Sequence, residues 1–257
     1  MNKNAIVLIT KIPSIEYLDF LNTFTQYDMY VIIDSNEYIT NSIKSVYKNI
    51  EFIQINENEC RNKCFCNSSY LVMKKDVTGW DKALYYFSII NTKYNNIWFI
   101  EDDIFFYGET TLLNIDEKYK EADLLCNCDY SPEKLNEWMW DSISIQFPAP
   151  YYAGMMCCSR MSNKLLECFL DYSSKNKTLF FLEALFPTLA KHYNLNTIQK
   201  PTEFISVKCR EKSSNYNKTD LYHPNKDITE HNRIRKCIDS NEDIRQINNQ
   251  KIKMTFS

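Results

Sequence analysis

Residues 97–106 read IWFIEDDIFF, three consecutive carboxylates between two apolar stretches. Charges of one sign crowded beside a core repel one another, which is costly unless a cation neutralises them. Carboxylate oxygens are hard ligands suited to Mg2+ or Mn2+. In extended backbone Glu101 and Asp103 point to one side and Asp102 to the other. One acid can then hold a metal while another takes a ribose or sugar hydroxyl. Alone, such a triplet equally describes a solvated turn. Its place after a buried strand gives it weight, because ligands of parallel α/β sheets bind beyond the carboxyl ends of the strands. Asp34, closing the apolar run MYVII at 29–33, falls at a second such end. A helix cap is the plain alternative for Asp34.

The elements that must position these acids follow from the apolar pattern. Runs at 5–12 (AIVLITKI), 29–33, 51–55 and 97–100 (IWFI) have strand length. Between them, 15–25, 39–46 and 80–90 carry apolar residues at helical spacing. Strands that alternate with helices and are apolar on both faces predict an α/β/α sandwich with a mostly parallel central sheet. The second half is less regular. A polar helical stretch at 116–121 precedes a strand at 124–128, and YAGMMCCS at 152–159 reads as another strand. Ser162 caps a helix over 162–172, and a helix over 178–192 should kink or break at Pro187. Beyond Pro201 the chain turns polar, and about its last thirty residues read as a tail or exposed helix. Neither a repeat nor a linker stands out. One domain is expected, with halves 1–106 and 107–230 and a C-terminal tail at 231–257.

Composition removes several function classes. Only 3 of 257 residues are Gly, and no stretch supplies a Gly-rich Rossmann fingerprint or a Walker loop. The net charge of −3 and pI near 5.7 argue against a general nucleic-acid binder. The charge is uneven: Glu101 to Asp141 holds 12 acids against 3 Lys, and Lys191 to Ser257 holds 13 basic residues against 8 acids. A metal with an anionic ligand fits between such segments, and two solvated faces of opposite sign fit equally. The apolar core of the first residues, Ala5 to Ile9, is too short for a signal peptide. No run reaches the roughly 18 apolar residues of a membrane span. The expected location is therefore cytoplasmic, with the 10 Cys reduced. Cys60, Cys64 and Cys66, then Cys126 and Cys128, depart from the C-x2-C spacing of structural zinc sites, so buried or idle thiols are the default reading.

The sequence resembles the GT-A glycosyltransferases, the nucleotide-sugar-dependent class with a DxD motif. The resemblance rests on AIVLITK at the start, VIID at 31–34, WDKALYYF at 80–87 and IWFIEDDIFF. It continues through YYAGMMCCSRMSNKLL at 151–166, FFLEALFP at 180–187 and YHPNK at 222–226. These pieces come in the order such enzymes use. The composition, rich in Asn and Lys, is similar to giant-virus or protist members. The resemblance implies a GT-A-type fold and transfer of one sugar from a nucleotide diphosphate sugar, a UDP-sugar by class, to a hydroxyl of a glycan or protein acceptor. It implies a Mn2+ or Mg2+ cofactor. Asp103, matching the last acid of DxD, would be a direct metal ligand, and His223 matches a late His that completes the metal site. Glu101 and Asp102 would contact ribose or sugar hydroxyls or metal-bound water, Asp34 the base or ribose, and Lys82 and Lys226 the donor and its phosphates.

An inverting reaction, the course favoured here, needs a carboxylate base at the acceptor hydroxyl. Glu183, set in FFLEALFP, is the first candidate, because apolar surroundings raise a carboxyl pKa. A structural carboxylate in a first helical turn is its alternative. Asp141, after Trp138 and Trp140, is the second candidate; the indoles can stack on a sugar or pack in the core. Trp80 reads as a core anchor, Lys82 as an exposed Lys if it does not reach the donor, His223 as a loop His if it binds no metal. Gly154 lets a ligand approach or marks a bulge or tight packing. Two other function classes stay open: a carboxylate-metal phosphohydrolase or nuclease, and a protein that binds a nucleotide sugar or glycan without turnover.

Overall fold

The computed structural model describes residues 4–38, 40–129, 138–204 and 216–240. In chain order they form β1 (Ala5–Thr10), α1 (Ile15–Leu21), β2 (Asp28–Ile33), α2 (Asn41–Val46), β3 (Ile50–Ile53) and α3 (Glu57–Asn62). Next come α4 (Gly79–Tyr85), continuing as a π-helical turn over Tyr86–Ile90, then β4 (Asn96–Glu101), α5 (Glu109–Lys118) and β5 (Leu124–Asp129). A 3-10 turn (Trp140–Ser142), β6 (Ala153–Ser162), α6 (Asn163–Asn176), α7 (Leu182–His192), β7 (Thr197–Ile198) and α8 (Ile228–Ser240) complete the series. The chain divides into two compact units, 1–102 with 121–201 and 103–120 with 202–257.

The larger unit carries one seven-stranded sheet in the order β3-β2-β1-β4-β6-β5-β7. Its pairings are parallel except those of β6, which runs antiparallel to β4 and β5. The α/β class with a mostly parallel sheet is thus as expected. Ala5, Val7 and Ile9 share one buried cluster with residues of α4, α6 and α7. Ile6 and Leu8, on the other face, are equally buried. Burial on both faces is why these strands read as unbroken apolar runs. The register sets Thr10 opposite Ile33 and Ile9 opposite Glu101. The carboxyl ends of β1, β2 and β4 therefore lie level.

Local signals start the helices. Ser14 caps α1 by accepting from the Tyr17 amide, and Ser162 caps α6 by accepting from the Leu165 amide. The helix expected over 116–121 instead occupies 109–118. α7 continues through Pro187, so the expected disturbance there is not a break. Proline there forfeits one backbone bond, and the buried side chains Leu185, Phe186 and Leu189 hold the helix in the core.

Two glycines are packing positions. A Cβ on Gly154 would meet Cys128 Sγ at 2.2 Å, so this residue admits β5 and not a ligand. A Cβ on Gly79 would lie 2.8 Å from Ile9 Cγ2 and 3.2 Å from Asp34 Cβ. Gly79→Ala should therefore push α4 off the ends of β1 and β2, costing about 1–3 kcal/mol. Thermal denaturation checks it: a melting temperature equal to wild type would mean that these neighbours yield freely.

In the smaller unit Phe105 and Tyr222 exchange both backbone bonds at 2.9 Å as an antiparallel bridge. Phe105, Tyr222 and Ile234 form its core, with Tyr216 against them. The Arg235 guanidinium lies 5.2 Å from the Phe105 ring centre and donates to the carbonyls of Phe106 and Tyr107. α8 buries His231, Ile234 and Cys237, so this stretch of the expected tail is a packed helix; residues 241–257 lie outside the described ones.

The nine described cysteines are free thiols. Among the described residues no three of them gather as metal ligands would. Burial pushes the Cys60 thiol up to about 12 and Cys168 to about 11, which keeps both protonated and inert. No described helix is long and apolar enough to cross a membrane.

Candidate active site

In the larger unit, four of the expected residues are fixed by neighbours at the strand ends. Asp34 follows β2, and its amide continues the ladder by donating to the Thr10 carbonyl at 2.8 Å. Lys82 Nζ lies 2.7 Å from Asp34 Oδ1 and 4.0 Å from Glu57 Oε1. The Lys82 side chain is only 1% exposed, whereas that of Asp34 is 31% exposed. This corrects the expectation of an exposed lysine. Gly79 and Lys82, three residues apart, share the helix face turned to Asp34, and without Asp34 the buried ammonium would keep only Glu57, 4.0 Å away. The ammonium is thereby committed to Asp34, and the Asp34 carboxylate keeps access to a ligand.

The Trp80 indole N–H donates to Glu101 Oε1 at 2.6 Å, so Trp80 is a core anchor that also orients an acid. Thr10 donates its hydroxyl to the Asp102 carboxylate. The first turn of α4 is held in turn by Asp81, fully buried, whose carboxylate accepts from the amides of Ser68 and Thr78 at 2.9 Å each. Burial pushes the Asp81 carboxyl up to about 6, against the pull of these hydrogen bonds. Glu183 is half-buried in the first turn of α7. Asp141 is exposed in the 3-10 turn, on the wall of a separate cavity.

In the smaller unit Asp103 and His223 come together. Asp103 Oδ2 lies 3.4 Å from His223 Nε2, with the two side chains 16% and 15% exposed. The Phe105–Tyr222 bridge sets this pairing, and the Asn225 amide donates to the Asp103 carbonyl at 2.7 Å. Asp103 Oδ1 is buried without a hydrogen-bond partner, as is His223 Nδ1. A buried carboxylate oxygen with no donor is costly. Two ligand atoms on one octahedral cation at ~2.1 Å stand about 3 Å apart. The 3.4 Å spacing of Asp103 Oδ2 and His223 Nε2 fits a small divalent metal; the unmet Oδ1 is the other oxygen of the same carboxylate. The hard carboxylate with an imidazole suits Mn2+, and Mg2+ through the carboxylate. Lys226 is exposed in the loop just beyond.

His231 was not singled out by sequence. It is 1% exposed, and its Nε2 lies 2.8 Å from the Asn225 carbonyl. It thus braces the loop that carries His223. The missed signal is its spacing with Ile234 and Cys237 on one face of α8. Burial pushes this imidazole from the ordinary 6.5 down to about 4. Between those values the unfolded chain takes up a proton that the folded one refuses, so stability falls as pH drops from 6.5 toward 4. At pH 5 this amounts to about 2 kcal/mol. His231→Phe should abolish that sensitivity while costing stability at pH 7. Melting in EDTA at pH 7 and pH 5 checks it: equal pH dependence in both proteins would remove His231 as its source.

No family model matches the chain, and no curated protein matches it in sequence. Solved structures do match. Mouse xyloside xylosyltransferase 1, in its apo form, is 10% identical over 88% of this chain and 98% of its own, with a TM-score of 0.46. The 4-diphosphocytidyl-2C-methyl-D-erythritol synthase of Anaerococcus prevotii is 10% identical over 91% of this chain and 96% of its own, with a TM-score of 0.47. The WbbM bifunctional glycosyltransferase, also apo, is 12% identical over 79% of this chain and 39% of its own, with a TM-score of 0.47. Nothing in these matches bears on a giant-virus or protist source.

Proposed function

We propose that the protein is a divalent-metal-dependent glycosyltransferase that moves a sugar from a nucleotide diphosphate donor, a UDP-sugar by class, to a hydroxyl acceptor with inversion. The observation that carries this is the pair Asp103–His223, 3.4 Å apart with one carboxylate oxygen buried and unpartnered. Asp103 stands directly after the strand-end acids Glu101 and Asp102 in the chain.

Asp103 and His223 would hold the metal. When bound, it would supply Lewis-acid neutralisation of the charge that gathers on a departing diphosphate. The chain's own groups do the rest. Asp34, fixed by Lys82 through one oxygen, accepts from ribose hydroxyls with the other. Glu101 and Asp102, oriented by Trp80 and Thr10, accept from donor hydroxyls. Lys226 is exposed and available to a phosphate. Glu183 takes the proton of the acceptor hydroxyl as its oxygen bonds to the sugar carbon and the diphosphate leaves with the bonding pair. Asp141 is the second candidate for that proton.

The test is turnover. The protein is incubated with UDP-, GDP- and CMP-sugars, with Mn2+ or with EDTA, and nucleotide release is followed. Slow release from one donor, abolished by EDTA and accelerated by an acceptor, is expected. Release from none, or cleavage of nucleic acid instead, would overturn the reading.

A further inference from the structure

The larger unit has a cavity of about 620 Å3 between residues 69–74 and 141–144. We infer that it is the acceptor subsite and takes a neutral saccharide, an inference that rests on the transferase reading above.

Its walls are built in advance of any ligand. Asn67 is fully buried with φ of 82°, and its side-chain Oδ1 accepts from the amides of Lys74 at 2.7 Å and Lys75 at 3.3 Å. That closes residues 67–75 into a fixed loop. The Ser144 amide donates to the Leu71 carbonyl at 2.8 Å and ties the second wall to the first. Trp138 and Trp140, ring centres 4.5 Å apart, anchor the turn that carries Asp141, with Trp140 against Tyr151 and Trp138 against Phe181.

The position suits an acceptor. The same loop reaches the first turns of both helices that carry the expected machinery. The Ser69 hydroxyl lies 2.7 Å from that of Thr78, which caps α4, two residues before the Trp80 that orients Glu101. The Leu182 amide, at the start of α7 and next to Glu183, donates to the Ser68 carbonyl at 2.7 Å.

The lining chooses the chemical class. Its lining residues include Tyr70, Ser142 and Ser144, which carry hydroxyls, with Ser69, Asp141 and Lys74; the Ser69 hydroxyl is shared with Thr78. One negative and one positive group cancel, so neither a phosphate nor a polycation gains net attraction. The Lys74 ammonium already lies 4.6 Å from the Tyr70 ring centre. Hydroxyls that donate and accept, with a carboxylate that accepts from paired hydroxyls, match the edge of a sugar ring. Leu71 and the half-exposed Val72 supply apolar surface for its CH face. The volume falls within the range of small-molecule sites. Asp141 then binds acceptor hydroxyls, and Glu183 remains the base.

The test measures saccharide binding without donor or metal. Saturation-transfer NMR and calorimetry use methyl glucoside, methyl galactoside, methyl xyloside, lactose and cellobiose, with glucose 6-phosphate as the charged control. At least one neutral sugar should bind, and glucose 6-phosphate should not bind better. Ser142→Trp, an exposed position whose indole fills the cavity, should weaken binding at least tenfold. Binding of no neutral sugar, or binding unchanged by Ser142→Trp, would overturn the inference. The melting shift of Ser142→Trp with Mn2+ and nucleotide separates the two claims. If that shift persists while the sugars fail, the saccharide subsite falls and the transferase reading stands. If sugars bind there but no protein form responds to Mn2+ and nucleotide, the acceptor assignment falls together with the transferase reading.

Discussion

Asp103→Asn should weaken Mn2+-dependent nucleotide binding at least ~100-fold, about 3 kcal/mol, and leave the metal-free protein as stable as wild type. The two halves of this expectation come from different features. The loss follows because an amide oxygen replaces a charged ligand, and the His223 nitrogen 3.4 Å away is left without its carboxylate partner. Stability is kept because the Asn225 amide bonds the Asp103 backbone carbonyl, which the substitution does not touch. Asp103 Oδ1 has no hydrogen bond to lose. Removing one of three adjacent negative charges also relieves repulsion. Calorimetric titration of UDP in the presence of Mn2+ reads the first half, and melting in EDTA reads the second. A variant that binds as wild type would move the metal away from Asp103.

Glu183→Gln should lower the transfer rate by ~10^2 to 10^4-fold with donor affinity unchanged, the range for loss of a general base. Glu183 lies in the first turn of α7, so its charge also meets the positive end of the helix. Losing that interaction costs only about 0.3–1 kcal/mol. A collapse in stability would therefore mark Glu183 as a structural carboxylate, whereas a rate loss with an intact melt marks a base. Asp141→Asn is the companion measurement. If it lowers the rate to the same degree while Glu183→Gln does not, the roles of the two acids are exchanged.

The parts legible in the sequence were those written in local pattern. Strands buried on both faces read as apolar runs, Ser162 read as a cap, and the acidic triplet stood out because it follows such a run. What stayed hidden depends on partners far along the chain. Lys82 looks like a surface residue until Asp34, contributed by another strand end, is seen to neutralise it. The loop bearing His223 pairs with the segment after Asp103 through one bridge, too short to leave a strand pattern. His231 sits among polar residues of α8, and its burial depends on the Phe105 ring 5.4 Å away. Gly79 is one of only 3 Gly in the chain, and it lets α4 meet β1 and Asp34. Pro187 does not end the helix, because helix-breaking rules describe an isolated helix and α7 is held by its buried face.

On this proposal Asp103 and His223 hold a divalent metal on which nucleotide-sugar binding depends. The most direct test is a thermal-shift screen of UDP, GDP and CMP and their sugars, each with and without Mn2+, on wild type and His223→Ala. Ligands that bind the folded state raise its melting temperature by mass action. A rise that needs one nucleotide and Mn2+ together, and disappears in His223→Ala, is predicted. A rise that ignores Mn2+, or that His223→Ala retains in full, would contradict the account.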